Sequence, residues 1–299
     1  MPPEAGELGD ALRDIAVEVD RLFAELLPVP DDGRAPLFQA MRHSAIGGGK
    51  RMRPLLVTAA AQLFNVDRDR ALRAGLAAEC IHVYSLVHDD LPCMDDDDMR
   101  RGKPTAHKLY GEAAAVLAGD SLHALAFEVL ADERTHNDPH VRVELIRALA
   151  RAAGPAGMAG GQMMDLEAGG AGLDLSAVTR LQQMKTGALI AFCLEAGAIL
   201  GRAGPQAHTA LRGYAHDLGL AFQITDDLLD VGGDEANTGK RVGKDEAAGK
   251  VTFVSLLGLD RAEQQARMLA DQAVEHLGVF GEEAGLLRAV ARYAVERDR

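Results

Sequence analysis

Apolar residues recur along this chain with the period of an α-helix, and that spacing restricts the fold more than any other feature. Leu8, Leu12, Ile15, Val19, Leu22 and Leu26 step by four and three, so they line one stripe of a helix that Pro28 and Pro30 end. Leu37, Phe38, Met41 and Ala45 predict a second helix, halted at Gly47-Gly48-Gly49. Pro54 suits the opening of a third over 55–64. Asp67 caps a long fourth helix that runs to about Asp90, with Pro92 closing it. Further helices are expected over 112–130, 141–152, 158–167, 176–200, 208–230, 251–257, 262–277 and 282–296. Aromatic residues make up only 4% of the chain and Trp is missing, which disfavours strands. The linkers are short and rich in Gly, Pro, Asn or Asp, and no repeat of fixed period appears. With 299 residues, 47% of them hydrophobic, the chain can bury a large core. The expectation is one all-α domain over 1–299, an antiparallel helical bundle.

Two aspartate clusters close two of the long helices: Asp89-Asp90-Leu91-Pro92-Cys93-Met94-Asp95-Asp96-Asp97-Asp98, and Asp226-Asp227-Leu228-Leu229-Asp230. Like charges this close repel unless something positive sits among them. Basic residues follow each cluster: Arg100, Arg101 and Lys103 after the first, Lys240, Arg241, Lys244 and Lys250 after the second. Hard oxygen donors beside Arg and Lys suit a divalent cation carrying phosphate. One charge run alone is ordinarily a solvated face. Two doublets, each completed by a further Asp and a basic flank, are not explained that way. Asp89 and Asp90 stand at a helix C-terminus, where the helix dipole is already negative, so a cation is required there. Pro92 and Cys93 let the chain turn and bring Asp95 back. In the second cluster Asp226 and Asp230 share a helix face, Gln223 lies one turn earlier, and Phe222, Ile224, Leu228 and Leu229 make the surroundings apolar.

Gly47-Gly48-Gly49-Lys50-Arg51-Met52-Arg53-Pro54 sets a basic tripod behind a glycine loop, and backbone N–H groups with Lys and Arg side chains suit a diphosphate. It lacks the spacing of a Walker loop. His82 precedes Asp89 by seven residues, nearly on the same helix face. Lys185-Thr186 and Gly161-Gln162-Met163-Met164-Asp165 are weak signals alone, and the remaining histidines, including His107 and His123, form no zinc-like pattern.

The net charge of −13 argues against a nucleic-acid partner. Cys80, Cys93 and Cys193 show no metal-ligand spacing, and their odd number argues against a disulfide framework. Cys80 and Cys193 read as core residues. The N-terminus has no signal-peptide pattern and no long apolar run is evident, so a cytoplasmic protein without a transmembrane segment is expected.

Taken together, the segments GGGKRMRP, ECIHVYSLVHDDLPCMDDDDMRRGKPTAH, AVLAGDSL, GMAGGQMMDL, MKTGAL, FQITDDLLD and GKRVGKDEAAGK resemble the trans-isoprenyl diphosphate synthase, or polyprenyl synthetase, family over nearly the whole chain. The resemblance implies an isoprenoid synthase fold, helices around a central apolar cavity, and a homodimer with three Mg²⁺ ions. By it Asp89, Asp90, Asp95, Asp226 and Asp227 line the metal site, with Asp230 in support. Arg100, Lys185 and Lys240 would hold the allylic diphosphate, and Thr186 and Gln223 would complete that pocket. Lys50, Arg53, His82 and Arg101 would hold isopentenyl diphosphate. The implied reaction condenses isopentenyl diphosphate with dimethylallyl or geranyl diphosphate.

This chain departs from the family pattern in two places. Lys250-Val251-Thr252-Phe253-Val254 replaces the Lys-x-Thr-Tyr-Pro of many members, a change expected to lie away from the metals, and the spacing from Lys240 to Gly243 would let Arg241 take the allylic-phosphate role. The expected product is farnesyl diphosphate, with geranylgeranyl diphosphate as the rival. A class I terpene cyclase would lack Lys50 and Arg53, and an inactive partner subunit would have lost aspartates. Tyr84, five residues before Asp89, is expected to floor the product cavity about 7–8 Å down the helix, with the small Ser85 beside it.

Overall fold

A computed structural model describes residues 3–168, 172–232 and 251–296. In chain order it contains α1 (Pro3–Leu26), α2 (Ala35–Ala45), α3 (Met52–Gln62), α4 (Arg68–Asp89), the two-residue strands β1 (Met99–Arg100) and β2 (Lys103–Pro104), α5 (Ala106–Tyr110), α6 (Glu112–Ala131) and α7 (Pro139–Ala153). There follow α8 (Met158–Glu167), α9 (Leu175–Gln182), a π-helical turn over Gln183–Gly187, α10 (Ala188–Leu200) and α11 (Pro205–Gly232). After these come α12 (Phe253–Leu257), α13 (Leu259–His276), a 3₁₀ stretch over Leu277–Ala284 and α14 (Gly285–Glu296). The described residues divide into two compact units, one from 9–58 and 67–146, the other from the described parts of 1–8, 59–66 and 147–299.

In the first unit α4 is the central element. Asp67 caps it, its carboxylate accepting the backbone N–H groups of Asp69 and Arg70 at 3.1 and 3.2 Å. Nearly every residue from Ala71 to Ile81 is buried, so this helix has no solvent face over three turns. Gly75 lets α3 approach closely, because a Cβ there would come within 2.9 Å of the Pro54 Cα. Ile15, Val19 and Phe23 of α1 are buried here, whereas Leu12, Leu22 and Leu26 of the anticipated stripe are only half-buried. The core-facing line is thus rotated toward Phe23 and Leu27.

In the second unit α11 packs along α13, and Val178, Leu220, Ile224, Leu228, Phe253 and Leu269 form one apolar cluster. Tyr214 is fully buried and donates its hydroxyl to the Leu287 carbonyl at 2.7 Å. Cys80 and Cys193 are buried core residues, as expected.

Three features differ from the sequence reading. The short β1–β2 pair and α5 occupy a stretch with no apolar period, and Arg101 and Gly102 turn the hairpin with φ of +53° and +73°. The 176–200 helix is interrupted by the π-turn. Finally, Glu112–Ala131 and Leu175–Leu200 are long and apolar enough to cross a membrane, with mean hydropathies of 1.4 and 1.2, two runs that the sequence reading did not note, although neither is a clear transmembrane segment. Much of both is core: Leu122, Leu125, Val129 and Leu130 of α6 are buried, as are Leu189, Ile190, Phe192 and Leu194 of α10.

Candidate active site

In the first unit α4 delivers Asp89 and Asp90 at its C-terminal end. The chain then turns back, and the Asp95 N–H donates to the Asp89 carbonyl at 2.8 Å. This is the return anticipated from Pro92 and Cys93. Asp95 is exposed and Asp89 half-buried, whereas Asp90 is only 4% exposed. Arg100 donates to the Asp90 carboxylate at 2.6 Å and approaches Asp97 at 3.5 Å. Burial pushes the Asp90 carboxyl above its usual range, and Arg100 opposes that shift. The doublet is therefore not two equivalent donors. Asp89 and Asp95 present oxygens that suit a hard cation, while Asp90 is bound to Arg100.

The glycine loop also differs from its simplest reading. The Gly47 N–H donates to Asp20 at 3.0 Å, and Lys103 Nζ reaches the Ile46 and Gly47 carbonyls at 3.4 and 3.3 Å. Gly49, with φ of +84°, seats the Arg101 guanidinium: a Cβ there would lie 2.6 Å from its central carbon. Arg51 leaves the basic tripod altogether. It is buried at φ of +51°, paired with Glu79 at 2.8 Å and Asp20 at 2.7 Å, and bonded to the Ala45 carbonyl. Lys50 is exposed, and the Arg53 Nε is buried without a hydrogen-bond partner. Among the described residues neither Arg53 nor Arg101 pairs with a carboxylate. Burial first, then the charges of Arg53, Arg101, Arg100 and Arg51, push the His82 imidazole well below its usual range, so it is neutral at pH 7. Asp90, Arg100, Arg101, Val83 and Lys103 also line a cavity of about 50 Å³.

Tyr84 and Ser85 lie one turn above Asp89. Ser85 turns its hydroxyl back onto the His82 carbonyl at 2.9 Å, and Tyr84 packs edge-on against His88 and His123. A donor set not anticipated brings one atom each of Asp96, Asp98 and His107 within 4.8 Å of one another, but Lys108 already pairs with Asp98 at 2.6 Å.

In the second unit the π-turn carries Lys185 and Thr186, consistent with the tendency of such turns to occur at functional positions. Its shape depends on Gly161, where a Cβ would meet the Lys185 backbone N at 2.2 Å. Lys185 Nζ donates to Asp165 at 2.6 Å. Thr186 donates to Gln223 Oε1 at 3.2 Å, Gln223 Nε2 donates to Asp227 Oδ1 at 3.0 Å, and the Phe253 N–H donates to Asp227 Oδ2 at 2.9 Å. Here too the doublet is unequal: Asp227 is 3% exposed, and Asp226 and Asp230 are half-buried. The Phe253 bond brings the altered segment onto the second aspartate cluster through Asp227. Lys240 and Arg241 lie outside the described residues. Sequence reasoning gave Gly161 and Asp165 little weight. Their spacing within GMAGGQMMD was visible, but the contact to Lys185 spans 20 residues.

The chain is similar to known proteins over most of its length. The Polyprenyl synthetase family profile matches residues 34–280. Farnesyl diphosphate synthase of Escherichia coli (strain K12) is 45% identical over 279 residues, covering 92% of this chain and 93% of that protein. A chloroplastic geranylgeranyl pyrophosphate synthase of Capsicum annuum is 41% identical over 285 residues, covering 95% of this chain and 77% of that protein. The apo crystal structure of an FPP/GFPP synthase from Zymomonas mobilis superposes with a TM-score of 0.90 at 58% identity, covering 97% of this chain and 99% of that one. The fold is the all-α isoprenoid synthase fold, and the chain belongs to the polyprenyl synthetase family.

Proposed function

We propose that this chain is a short-chain trans-prenyltransferase that condenses isopentenyl diphosphate with dimethylallyl and geranyl diphosphates, giving farnesyl diphosphate as its main product. The observation that carries this reading is the cradle around His82: a neutral imidazole among arginines, with Arg53 Nε buried and unpartnered, on the helix that ends in Asp89 and Asp90. Unneutralised positive charge beside hard carboxylates suits a diphosphate ester and Mg²⁺.

The carboxylates fit Mg²⁺. Asp89 and Asp95 hold it in one set and Asp226 with Asp230 in the other, three ions in all, while Asp90 positions Arg100 and Asp227 positions Gln223. When bound, Mg²⁺ neutralises charge that develops on a departing diphosphate. Lys50, Arg53, His82 and Arg101 hold isopentenyl diphosphate. Lys185 holds the allylic diphosphate, with Thr186 and Gln223 completing its pocket, and the family resemblance gives Arg100 and Lys240 the same role. The allylic C–O bond breaks, its electrons leave with diphosphate, and the preorganised cationic side chains stabilise that charge. The isopentenyl double bond then attacks C1 of the allylic cation, and the released diphosphate takes the proton lost from the new chain. Apolar walls exclude the water that would quench the cation. A homodimer is the assembly that the family resemblance implies.

The C15 product is set by Tyr84. The Zymomonas mobilis relative is described as an FPP/GFPP synthase and the Capsicum annuum relative as a geranylgeranyl pyrophosphate synthase, so a longer product is the competing outcome. Labelled isopentenyl diphosphate is incubated with each allylic primer, with Mg²⁺ or with excess chelator, and the products are separated by chromatography. The expected result is a C15 product and no turnover in chelator. Activity undiminished by chelator would sink the metal reading, and a wild-type enzyme making mostly C20 would sink the product assignment.

A further inference from the structure

The π-turn of the second unit is held along one face of α11. Gln183 opens the turn, and its Nε2 lies 2.6 Å from His216 Nε2. Gly187 closes the turn against Gly219, where a Cβ would come 3.3 Å from the Gly187 Cα. Between them Thr186 donates to Gln223 at 3.2 Å. His216, Gly219 and Gln223 step by three and four, so a single stripe of α11 fastens both ends of the turn. The anchor at Gln183 continues outward. The Asp217 carboxylate can only accept, so His216 Nδ1 carries the proton in their 2.8 Å bond. The Gln183 amide nitrogen can only donate, so His216 Nε2 offers it a lone pair. Asp217, 8% exposed, accepts a second bond from His276 Nε2 of α13 at 3.1 Å. A Cβ on Gly213 would come within 2.6 Å of the His276 ring, so α11 carries no side chain where that imidazole lies. The His216 and His276 side chains are themselves exposed, and neither belongs to the apolar cluster beside them.

We propose that His216 is a positioning residue for the allylic diphosphate: it fixes the π-turn at Gln183 and thereby sets where Lys185 and Thr186 stand, while Asp217 and His276 fix His216. The proposal rests on the reading of Lys185 as a ligand of the allylic diphosphate. A π-turn holds one residue more than an α-turn, so closing it into regular helix rotates one flank against the other by about 100°. Such a rotation would carry Lys185 away from Asp165, its partner at 2.6 Å. Gly161 makes room for the wide turn but bonds to nothing in it through a side chain. The side-chain bonds at Gln183 and Thr186 supply the missing restraint, one toward each end. An imidazole suits the first of these, because both its nitrogens are engaged and its ring is a rigid spacer between Asp217 and the turn.

The test measures KM for geranyl diphosphate and for isopentenyl diphosphate in the wild type and in His216→Ala, His216→Gln, Gln183→Ala, His216→Ala/Gln183→Ala and Lys185→Ala. His216→Ala is expected to raise geranyl diphosphate KM by roughly twofold to tenfold, the equivalent of one neutral hydrogen bond, with isopentenyl diphosphate KM unchanged. His216→Gln puts an amide oxygen near the place of Nε2 and should bring geranyl diphosphate KM back toward the wild-type value. Gln183→Ala reads the same bond from its other side, also where His216→Ala does not fold. The double variant should be no worse than either single one, because both act through one interaction. Equal rises in the two KM values, additive losses in the double variant, or a glutamine variant as impaired as the alanine would overturn the positioning role. If Lys185→Ala raises geranyl diphosphate KM while His216→Ala and Gln183→Ala do not, Lys185 keeps its role and His216 loses the one proposed. If Lys185→Ala leaves geranyl diphosphate KM unchanged, the reading of Lys185 fails and takes the proposal with it.

Discussion

Arg51 separates two readings of the glycine-basic segment, and its substitution tests them directly. Adjacent to Lys50 and two residues before Arg53, it reads in sequence as a third phosphate ligand. In the structure its side chain is 1% exposed and ends against Glu79, itself 2% exposed, and against Asp20. Arg51→Met removes the charge and leaves the Glu79 carboxylate buried beside an apolar chain, with its Oε2 already lacking a partner. Breaking a buried pair from one side costs roughly 3–5 kcal/mol, because the remaining ion is desolvated without compensation. At about 2–4 °C per kcal/mol for a large domain, Tm should fall by on the order of 10 °C. The double variant Arg51→Met/Glu79→Leu should recover most of this, since replacing both ions of a buried pair with apolar groups is often neutral. Asp20 matters less, being 30% exposed and still bonded to the Gly47 N–H. Thermal unfolding followed by circular dichroism reads the stability, and isopentenyl diphosphate KM measured well below Tm reads the site. An unchanged Tm with a tenfold rise in that KM would refute the scaffolding role and return Arg51 to the phosphate.

Four further outcomes follow from the geometry. Asp89→Asn or Asp226→Asn should lower turnover by on the order of 10²–10³, whereas Asp90→Asn should act mainly by loosening Arg100, seen as a weaker allylic KM; equal losses at both positions of a doublet would contradict the division. Lys50→Ala or Arg53→Ala should raise isopentenyl diphosphate KM by roughly tenfold to a hundredfold with little change for the allylic substrate, and the reverse pattern would exchange the two sites. Asp165→Asn frees Lys185 from its 2.6 Å partner and should raise allylic KM without altering Tm by more than a few degrees; a normal allylic KM removes Asp165 from the site. His82 has a folded pKa depressed below its ordinary 6.5, so the unfolded chain binds the extra proton first and stability falls as pH drops below about 6.5. His82→Gln should flatten that slope below about pH 6.5 in urea titrations, and an unchanged slope would count against an imidazole kept neutral by the fold.

What the sequence carries well is what the backbone decides locally. The apolar period, the Asp67 cap, the prolines after α1 and the glycines after α2 all act within a turn or two of themselves, and the helices appear where those signals put them. The aspartate motifs were visible for the same reason, as dense local charge needing a cation. What escaped was settled by partners far along the chain. Asp89 and Asp90 look alike until Arg100 arrives ten residues later, and Asp227 differs from Asp226 through Phe253, 26 residues on. Arg51 looks like its basic neighbours until Glu79, 28 residues away, claims it. The π-turn at Lys185 has no composition of its own, because it exists where Gly161 gives way to a second backbone.

These distant partners sort the charged residues into two physical classes. A group whose hydrogen-bonding capacity is met inside the protein, such as Arg51, Asp90 or Asp227, is desolvated already and gains little from a diphosphate or a metal ion. A group left with unmet capacity beside like charge, such as Arg53 with its buried Nε, is stabilised only when an anion arrives. Charge density in the sequence therefore locates the site, and hydrogen-bond satisfaction in the fold decides which of its residues are held for the substrate. The unequal doublets follow from this: consecutive helical residues point about 100° apart, so when the first carboxylate of a pair faces the ligand, the second must turn into the protein and find a partner there.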